Sequence, residues 1–466
     1  MFILSDSVQR DSTISADICV VGSGAAGISF VLEFLNSKTR LCVIESGDFK
    51  VNRIDPLYDF ESPRLPIALD SRVRAFGGTT TAWSGRWKWL DDIDFRRRDW
   101  VPNSGWPIGR EDIERYYQRA SQSLKAPDPA KFDGKPGFLH SAILEPRLFL
   151  SQQKKRWRWG DNFRAVLKRS EVASIYLNAH MVRIEESSAT VAEIHVRTPA
   201  GNAFKVKAQA FVLAAGGIEN ARLLLLSNIG NQHDQVGRYY MDHPKGHVGI
   251  IEAYRQVDLS NHWDLEIESG RAAVGFRLSD AIQEKYRILN SHILLEPLPE
   301  RSLANQIRNK IFPIKKSHVV LVRNHLEQAP VASNRVCLSD KRDFFGCPKA
   351  RVDWSISELD KKTIVVFHGL LQKELQRLRI GELNSSLLDK DTPDFPITRD
   401  ASHHLGATRM GTDPRNSVVD RNCKVHSTAN LFIAGSSVFP TSGHANPTAT
   451  IAALAIRLAD HLKDKI

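Results

Sequence analysis

A glycine-rich turn near the N-terminus constrains the fold of this chain more than any other feature. The apolar, β-rich run "ICVVG" leads directly into Gly22, Gly24 and Gly27, which form the pattern G-x-G-x-x-G. In such a unit the first glycine allows a tight turn, the second lets a pyrophosphate approach the backbone, and the third lets the helix pack on the strand. The next strand, "LCVIESG", ends in Glu45, where a carboxylate binds a ribose hydroxyl and disfavours a 2′-phosphate. The pattern predicts a βαβ dinucleotide-binding unit and leaves NAD and FAD open.

Length and composition are typical of a globular protein with two or three domains. The 466 residues are 42% apolar and 25% charged, and no apolar run is long enough to span a bilayer. The first fifteen residues lack the basic start, apolar run and cleavage site of an export signal, so a cytoplasmic location is expected. The five cysteines form no C-x-x-C pair, which favours reduced thiols and offers no thiolate cage for zinc.

The net charge of +11 raises the question of an anionic partner, and the densest basic stretch is "KKRWRW" at 154–159. Three interpretations are open for this stretch. It is a solvated loop anchored by its tryptophans, a loop in which Trp157 and Arg158 line a substrate site, or a nucleic-acid contact. No recognised nucleic-acid module surrounds this stretch. We expect the protein to have no nucleic-acid partner and no membrane-spanning segment.

Four further motifs follow in order, and together with the N-terminal unit they carry a family resemblance. They are "FGGTTTAWSGRW" from residue 76, "AFVLAAGGIENARLLLLS" from 210, "HHLGATRMG" from 403, and "NLFIAGSSVFPTSGHANPTATIAALAIRLADHL" from 430. In this combination the chain resembles the glucose–methanol–choline (GMC) family of flavoprotein oxidoreductases. Within that family it is similar to the sugar-oxidising branch, which includes pyranose oxidases and glycoside 3-dehydrogenases.

The resemblance implies an α/β fold with α+β character, in which a Rossmann-like FAD-binding domain is interrupted by a substrate domain built on an antiparallel sheet. Residues 1–244 and 401–466 would form the FAD-binding domain, and residues 245–400 the substrate domain. Some relatives attach the flavin to a histidine at the position of Ala82, which predicts non-covalent FAD here. The implied FAD contacts are Gly22, Gly24, Gly27, Glu45, Gly77, Gly78, Thr79, Thr81, Val182, Ala215, Gly435, Ser436, Pro447 and Thr448.

The resemblance also implies a catalytic His and Asn pair. We assign the proton acceptor to His404, before the Gly-Ala-Thr turn, and its partner to Asn446 in "NPT". Histidine suits this role because its unperturbed pKa lies near working pH. If the segment is extended, His403 points the opposite way and is structural. Asn446 has an alternative role as a cap of the helix that Pro447 opens.

The remaining histidines are open to simpler interpretations. His444 either lines the substrate cavity or supports its loop, and His243 in "DHP" is expected to be structural. A metal site built from His403 and His404 is not expected, because adjacent side chains diverge and no carboxylate or thiolate cluster is nearby.

The function implied by the resemblance is oxidation of an alcohol, with the hydride passing to flavin N5 and the proton to a histidine base. The substrate is expected to be a small-molecule alcohol, namely a sugar or glycoside whose hydroxyl becomes a carbonyl, with another natural-product alcohol as the alternative. Two rivals on the same fold are a non-redox lyase with a structural flavin and a non-catalytic flavin-binding subunit. The electron acceptor, either oxygen or a carrier, stays open.

Overall fold

The computed structural model describes residues 1–466 except 52–59, 69–70, 127–138, 140, 153–156, 261, 263–264, 268–269, 299–315, 389–394 and 398–399. The described strands are β1 (Phe2–Leu4), β2 (Thr13–Val21), β3 (Leu41–Glu45), β4 (Phe60–Glu61), β5 (Arg86–Trp87), β6 (Leu144–Gln152), β7 (Ala173–Leu177), β8 (His180–Ser187), β9 (Thr190–Arg197), β10 (Ala203–Leu213), β11 (Lys245–Asp258), β12 (Leu265–Ile267), β13 (Gly270–Leu278), β14 (Ser291–Pro297), β15 (Lys316–Leu326), β16 (Arg335–Arg342), β17 (Pro348–Asp353), β18 (Gly381–Ser385) and β19 (Leu431–Ile433). The described α-helices are α1 (Ala25–Leu32), α2 (Asp92–Phe95), α3 (Arg110–Ser123), α4 (Trp159–Lys168), α5 (Glu219–Ser227), α6 (Asp280–Tyr286), α7 (Glu358–Arg377) and α8 (Thr448–Lys463).

The first large sheet is a mostly parallel sheet that carries the glycine-rich turn. Its strand order is β1-β7-β3-β2-β10-β9-β8, and β19 pairs with β10. In this sheet the strands that run parallel are β1, β7, β3, β2, β10 and β19, whereas β8 and β9 form an antiparallel hairpin at one edge. The segment 18–21 of β2 is almost completely buried, as expected for a strand covered on both faces. Helix α1 connects β2 to β3 and packs against α8, which also contacts α3.

The second large sheet is antiparallel. Its order is β18-β11-β15-β14-β13-β6-β5, with β12 on β13, and α7 buries Ile364, Phe367 and Leu371 in the same apolar cluster as Val320 and Val322 of β15. The predicted fold class, a Rossmann-like unit combined with an antiparallel sheet, is confirmed. The domain borders at 244 and 400 stay a prediction. Strands β5 and β6, which precede residue 244, belong to the second sheet, and those borders leave this contribution out.

A small third sheet of β16, β17 and β4 completes the described architecture. Among the helices that the structure describes, none combines the length and the apolar character that a membrane span requires.

Candidate active site

A cavity of about 440 Å³ opens where the parallel strands of the first sheet end. Its walls include residues at or just after the carboxyl ends of β2, β3, β10 and β19, together with the N-terminus of α8. Arg86 of β5 and Ala350 of β17 contribute from the other two sheets. The carboxyl ends of parallel strands are where open α/β folds bind their ligands. The cavity is therefore shaped by the dinucleotide unit on one side and by the antiparallel sheet on the other.

The glycine-rich loop has the geometry that a bound pyrophosphate requires. Gly22 has φ +104°, and a Cβ there would lie 2.5 Å from the carbonyl oxygen of Ala214. A Cβ on Gly27 would lie 2.0 Å from the carbonyl oxygen of Gly22, so helix and strand touch at this point. At Gly24 the nearest atom to an added Cβ is 3.9 Å away, and α1 begins with the next residue. Free N–H groups at the start of α1 thus face open space that fits a phosphate.

Glu45 lies at the last position of β3, as the sequence predicts. Its carboxylate accepts hydrogen bonds from the backbone N of Ser23 at 2.9 Å, from the hydroxyl of Ser23 at 2.6 Å and from the backbone N of Gly47 at 2.7 Å. Burial raises the pKa of the carboxyl group despite these hydrogen bonds. Glu45 also lines the cavity, in the place where a carboxylate contacts a ribose in dinucleotide folds.

Most predicted FAD contacts line the cavity, and three instead support the residues that do. The lining residues are Gly22, Gly24, Glu45, Gly78, Thr79, Val182, Ala215, Gly435, Ser436, Pro447 and Thr448. Gly27 packs beneath Gly22, Gly77 packs against Gly160, and the Thr81 hydroxyl donates to the carbonyl of Gly78. Gly27, Gly77 and Thr81 thus support the lining residues in this structure, and their assignment as direct FAD contacts stays a prediction. Ala82, the position without a flavin-linking nucleophile, lines the cavity.

His404 lines the cavity, but its ring is held by other protein groups. Nδ1 lies 2.7 Å from the hydroxyl of Tyr240 and 3.5 Å from a carboxylate oxygen of Asp242, while Nε2 lies 3.0 Å from the hydroxyl of Ser71. Both ring nitrogens thus have partners. Sequence reasoning missed Ser71 and Tyr240. Of these two residues, only Tyr240 is marked by a sequence motif, because it lies two residues before Asp242 in "YYMDHP".

His403 lines the same cavity, so the expectation that its ring points away from the site is wrong. Its Nδ1 lies 2.8 Å from Nδ1 of His243, and its Nε2 lies 3.4 Å from the amide nitrogen of Asn446. The backbone explains the error, because Ser402 has φ 63° and the segment is not a regular strand in which side chains alternate. Burial lowers the pKa of His403 to about 3, so the ring is neutral near pH 7.

Asn446 pairs with His403 and not, in the described contacts, with His404. Helix α8 begins at Thr448, and its cap residue is Pro447, without a side-chain capping bond. The structure therefore shows no capping bond from the side chain of Asn446, which was its alternative role. The N-terminus of α8 faces the cavity through Pro447 and Thr448 and brings a partial positive charge to it.

The three predicted substrate contacts do not line this cavity, and their role in substrate binding stays a prediction. Trp157 is buried, and its carbonyl accepts a hydrogen bond from the indole of Trp83 at 2.6 Å. Arg158 is the residue before α4. The ring of His444 is buried between His292 and Asp91. Residues 154–156 of the basic stretch lie outside the described part of the chain.

Trp83 and Arg86 line the cavity instead. Both belong to "FGGTTTAWSGRW", one of the motifs that carry the family resemblance.

Comparisons with known proteins agree with this geometry. A family model described as GMC oxidoreductase matches residues 330–455. The chain is 29% identical to the fructose dehydrogenase large subunit of Gluconobacter japonicus, over 97% of this chain and 98% of that protein. It is 25% identical to paromamine 6'-oxidase of Streptomyces fradiae, over 97% and 92%. The crystal structure of pyridoxine 4-oxidase from Mesorbium loti has the same fold, with a TM-score of 0.59 at 18% identity over 97% of this chain and 100% of that one.

The fold and the cavity define a dinucleotide-dependent oxidoreductase that acts on alcohol groups. The chain resembles the GMC oxidoreductase family, whose model matches its residues 330–455. Its cofactor is FAD, and the open space above Gly24, the carboxylate of Glu45 and the N-terminus of α8 fit that group.

Proposed function

We propose that this protein oxidises a hydroxyl group of a sugar or glycoside to a carbonyl, using non-covalently bound FAD. The substrate class is supported by the likeness over nearly the whole chain to a fructose dehydrogenase subunit and to a paromamine oxidase. Non-covalent binding is supported by Ala82, which offers no nucleophile to the cavity.

The proton acceptor in this proposal is His403, and the assignment moves there from His404. The observation that carries it is the contact between His403 Nε2 and the amide of Asn446 at the cavity wall. At His404, Tyr240 and Ser71 hold the two ring nitrogens at 2.7 and 3.0 Å, whereas the contact of His403 Nε2 with Asn446 is longer, at 3.4 Å. A base must reach the proton it removes, and a nitrogen in a short hydrogen bond to the protein reaches it less readily than one with a long contact.

Each residue then has a defined task. FAD, when bound, accepts the hydride at N5. Neutral His403 takes the hydroxyl proton on Nε2, while the amide of Asn446 donates a hydrogen bond that orients the same oxygen. The N-terminus of α8 stabilises negative charge at the cavity.

The test is anaerobic stopped-flow reduction of the flavin, after a panel of sugars and glycosides has identified an alcohol that bleaches it. His403→Ala should keep its FAD and slow reduction by about 10²–10⁴-fold, with part of the rate restored at high pH as the alcohol ionises. Asn446→Ala should lose less, because it gives up one hydrogen bond and keeps the base.

His404→Ala is the matched control for this assignment, since it removes the neighbouring ring in the same cavity. A slow His404→Ala enzyme beside a normal His403→Ala enzyme would return the role to His404. Absence of bleaching with every alcohol tested would contradict alcohol oxidation and favour the non-redox alternatives.

The mode of flavin attachment has its own test. Acid precipitation should release all the yellow colour into the supernatant as FAD, because Ala82 cannot form a bond to the flavin. Colour that stays with the pellet would show attachment at another residue.

A further inference from the structure

The ring of His243 has one arrangement of protons that its surroundings accept. Its Nε2 lies 3.2 Å from the carbonyl oxygen of Ser442 and 2.9 Å from that of Gly443. Carbonyl oxygens only accept hydrogen bonds, so this nitrogen carries the proton. The ring is 1% exposed, and burial lowers its pKa. Neutral His243 therefore presents a bare Nδ1.

That bare nitrogen determines the protonation of His403. The two Nδ1 atoms are 2.8 Å apart, and a hydrogen bond between them needs a donor and an acceptor. Since His243 is the acceptor, His403 carries its single proton on Nδ1 and leaves Nε2 bare. The contact of His403 Nε2 with the amide nitrogen of Asn446 at 3.4 Å agrees independently, because an amide N–H donates to a lone pair.

We propose that His243 is a positioning residue that holds His403 in the one neutral tautomer able to accept a proton at the cavity. The proposal rests on the proposed function, in which His403 is the base. In the proton-transfer step the O–H bond of the alcohol breaks and an N–H bond forms at His403 Nε2. The proton on Nδ1 stays in place, where it continues to donate to His243. No other group gains or loses a proton in this step.

The backbone around both rings is fixed by one buried carboxylate. Asp242 accepts hydrogen bonds from the backbone N–H groups of His243 at 2.6 Å, Ala401 at 2.8 Å and His403 at 3.2 Å. Burial alone would raise the pKa of Asp242, but hydrogen bonding and the nearby histidines hold it well below its usual value. Among the described residues, the titratable and charged groups that interact with the two rings are Asp242, Lys245, His292, His325, Glu327 and His404.

The first measurement compares two substitutions of His243 in the FAD-loaded enzyme. His243→Leu removes the acceptor at similar volume, so His403 can place its proton on either nitrogen. We expect flavin reduction about ten- to a hundredfold slower, as for loss of groups that orient a functional histidine, with a pH profile that differs from that of the unaltered enzyme. His243→Asn offers an amide oxygen near the former Nδ1 and should restore most of the rate.

The matched control is His368→Leu. His368 is a fully buried histidine of α7 whose ring bonds to Ser385 and Asn324 in the second sheet. Its loss should lower thermal stability without changing the reduction rate or the pH profile. If His243→Leu behaves in the same way, or if His243→Asn is as slow as His243→Leu, His243 is merely structural and the proposal is overturned.

The second measurement reads the tautomer without turnover. In protein labelled with ¹⁵N in its histidine rings, the signal missing from His403→Gln identifies His403. We expect the pattern of a protonated Nδ1 and a bare Nε2, and a shift towards a mixture of tautomers in His243→Leu. A protonated Nε2 in the unaltered enzyme overturns the proposal.

The two measurements separate this proposal from the proposed function. If His403→Gln reduces its flavin normally, His403 is not the base and both fail. If His403→Gln is slow while His243→Leu is normal, the proposed function stands and only the role of His243 is refuted.

Discussion

At the scale of single residues, His403 and His404 differ in environment although they are adjacent in the chain. The family resemblance led to this pair, and composition excluded a thiolate metal site, but the choice between the two rings depended on assumed alternation. The positive φ of Ser402 and the irregular backbone that follows decide the orientation. Neither of these backbone features can be recognised in the sequence "SHHLG". The partners Ser71, Tyr240 and His243 come from distant parts of the chain, and no local pattern pairs them.

Glu45 gives a prediction at this scale. Glu45→Gln should weaken FAD binding by about 1.5–3 kcal/mol, roughly ten- to a hundredfold, because a charged acceptor is lost. Its amide would also present N–H groups to the donors of Ser23 or Gly47. The measurement is titration of flavin-free protein with FAD. Glu374→Gln is the control, since that carboxylate pairs with Arg377 and Ser141 in a different part of the fold. Equal affinities in the two variants would contradict the role of Glu45.

At the scale of elements, the glycine pattern predicted the β2–α1–β3 unit well. Apolar β-rich runs became β2 and β3, and β3 ends at Glu45 as expected. The helix at the end of the chain, with Pro447 before its first residue, also agrees. The membership of β5 and β6 in the second sheet was not predictable, because β5 has two residues and pairs with residues about sixty positions away. Such long-range pairing depends on the assembled sheet and not on local sequence.

The contact between α1 and β2 is testable through Gly27. Gly27→Ala places a Cβ 2.0 Å from the carbonyl oxygen of Gly22, so helix and loop must separate. We expect a loss of about 2–3 kcal/mol in the free energy of unfolding and weaker retention of FAD. Thermal unfolding and flavin content after gel filtration provide the measurements.

Gly369→Ala in α7 is the matched control, because no atom lies within 4 Å of its added Cβ. Alanine there should stabilise the helix by about 0.5–1 kcal/mol. A Gly27→Ala protein as stable as Gly369→Ala would show that the helix and strand are less closely packed than described.

At the scale of the whole molecule, many buried titratable groups make stability depend on pH. Burial lowers the pKa of His180 and His403 to about 3, and that of His262, His368 and His444 to about 4. These histidines take up protons on unfolding at any pH between those values and about 6.5. Burial raises the pKa of Asp94 and Asp360 to about 7, and these two carboxyl groups release protons on unfolding in the same window. The proton uptake of the five histidines on unfolding is larger than the proton release of the two carboxyl groups.

Stability should therefore be highest near and above neutral pH and fall as the pH drops from about 6.5 towards 4. For these seven groups alone, the net uptake near pH 5.5 is about two to three protons, which corresponds to a loss on the order of 3 kcal/mol per pH unit. Calorimetric unfolding of the FAD-saturated protein at pH 7, 6 and 5 measures this trend. A midpoint that stays constant or rises towards pH 5 would contradict it.

The pairing of β19 with β10 has a consequence for how the protein is made. Strand β19, which pairs with β10, and helix α8, which follows Asn446 at the cavity, are synthesised long after the loop at Gly22. A nascent chain therefore holds an incomplete cofactor site until both segments have been made. Until then the edge of β10 and the face of α1 that packs against α8 lack their covering partners, so stable binding of FAD has to wait for these two segments.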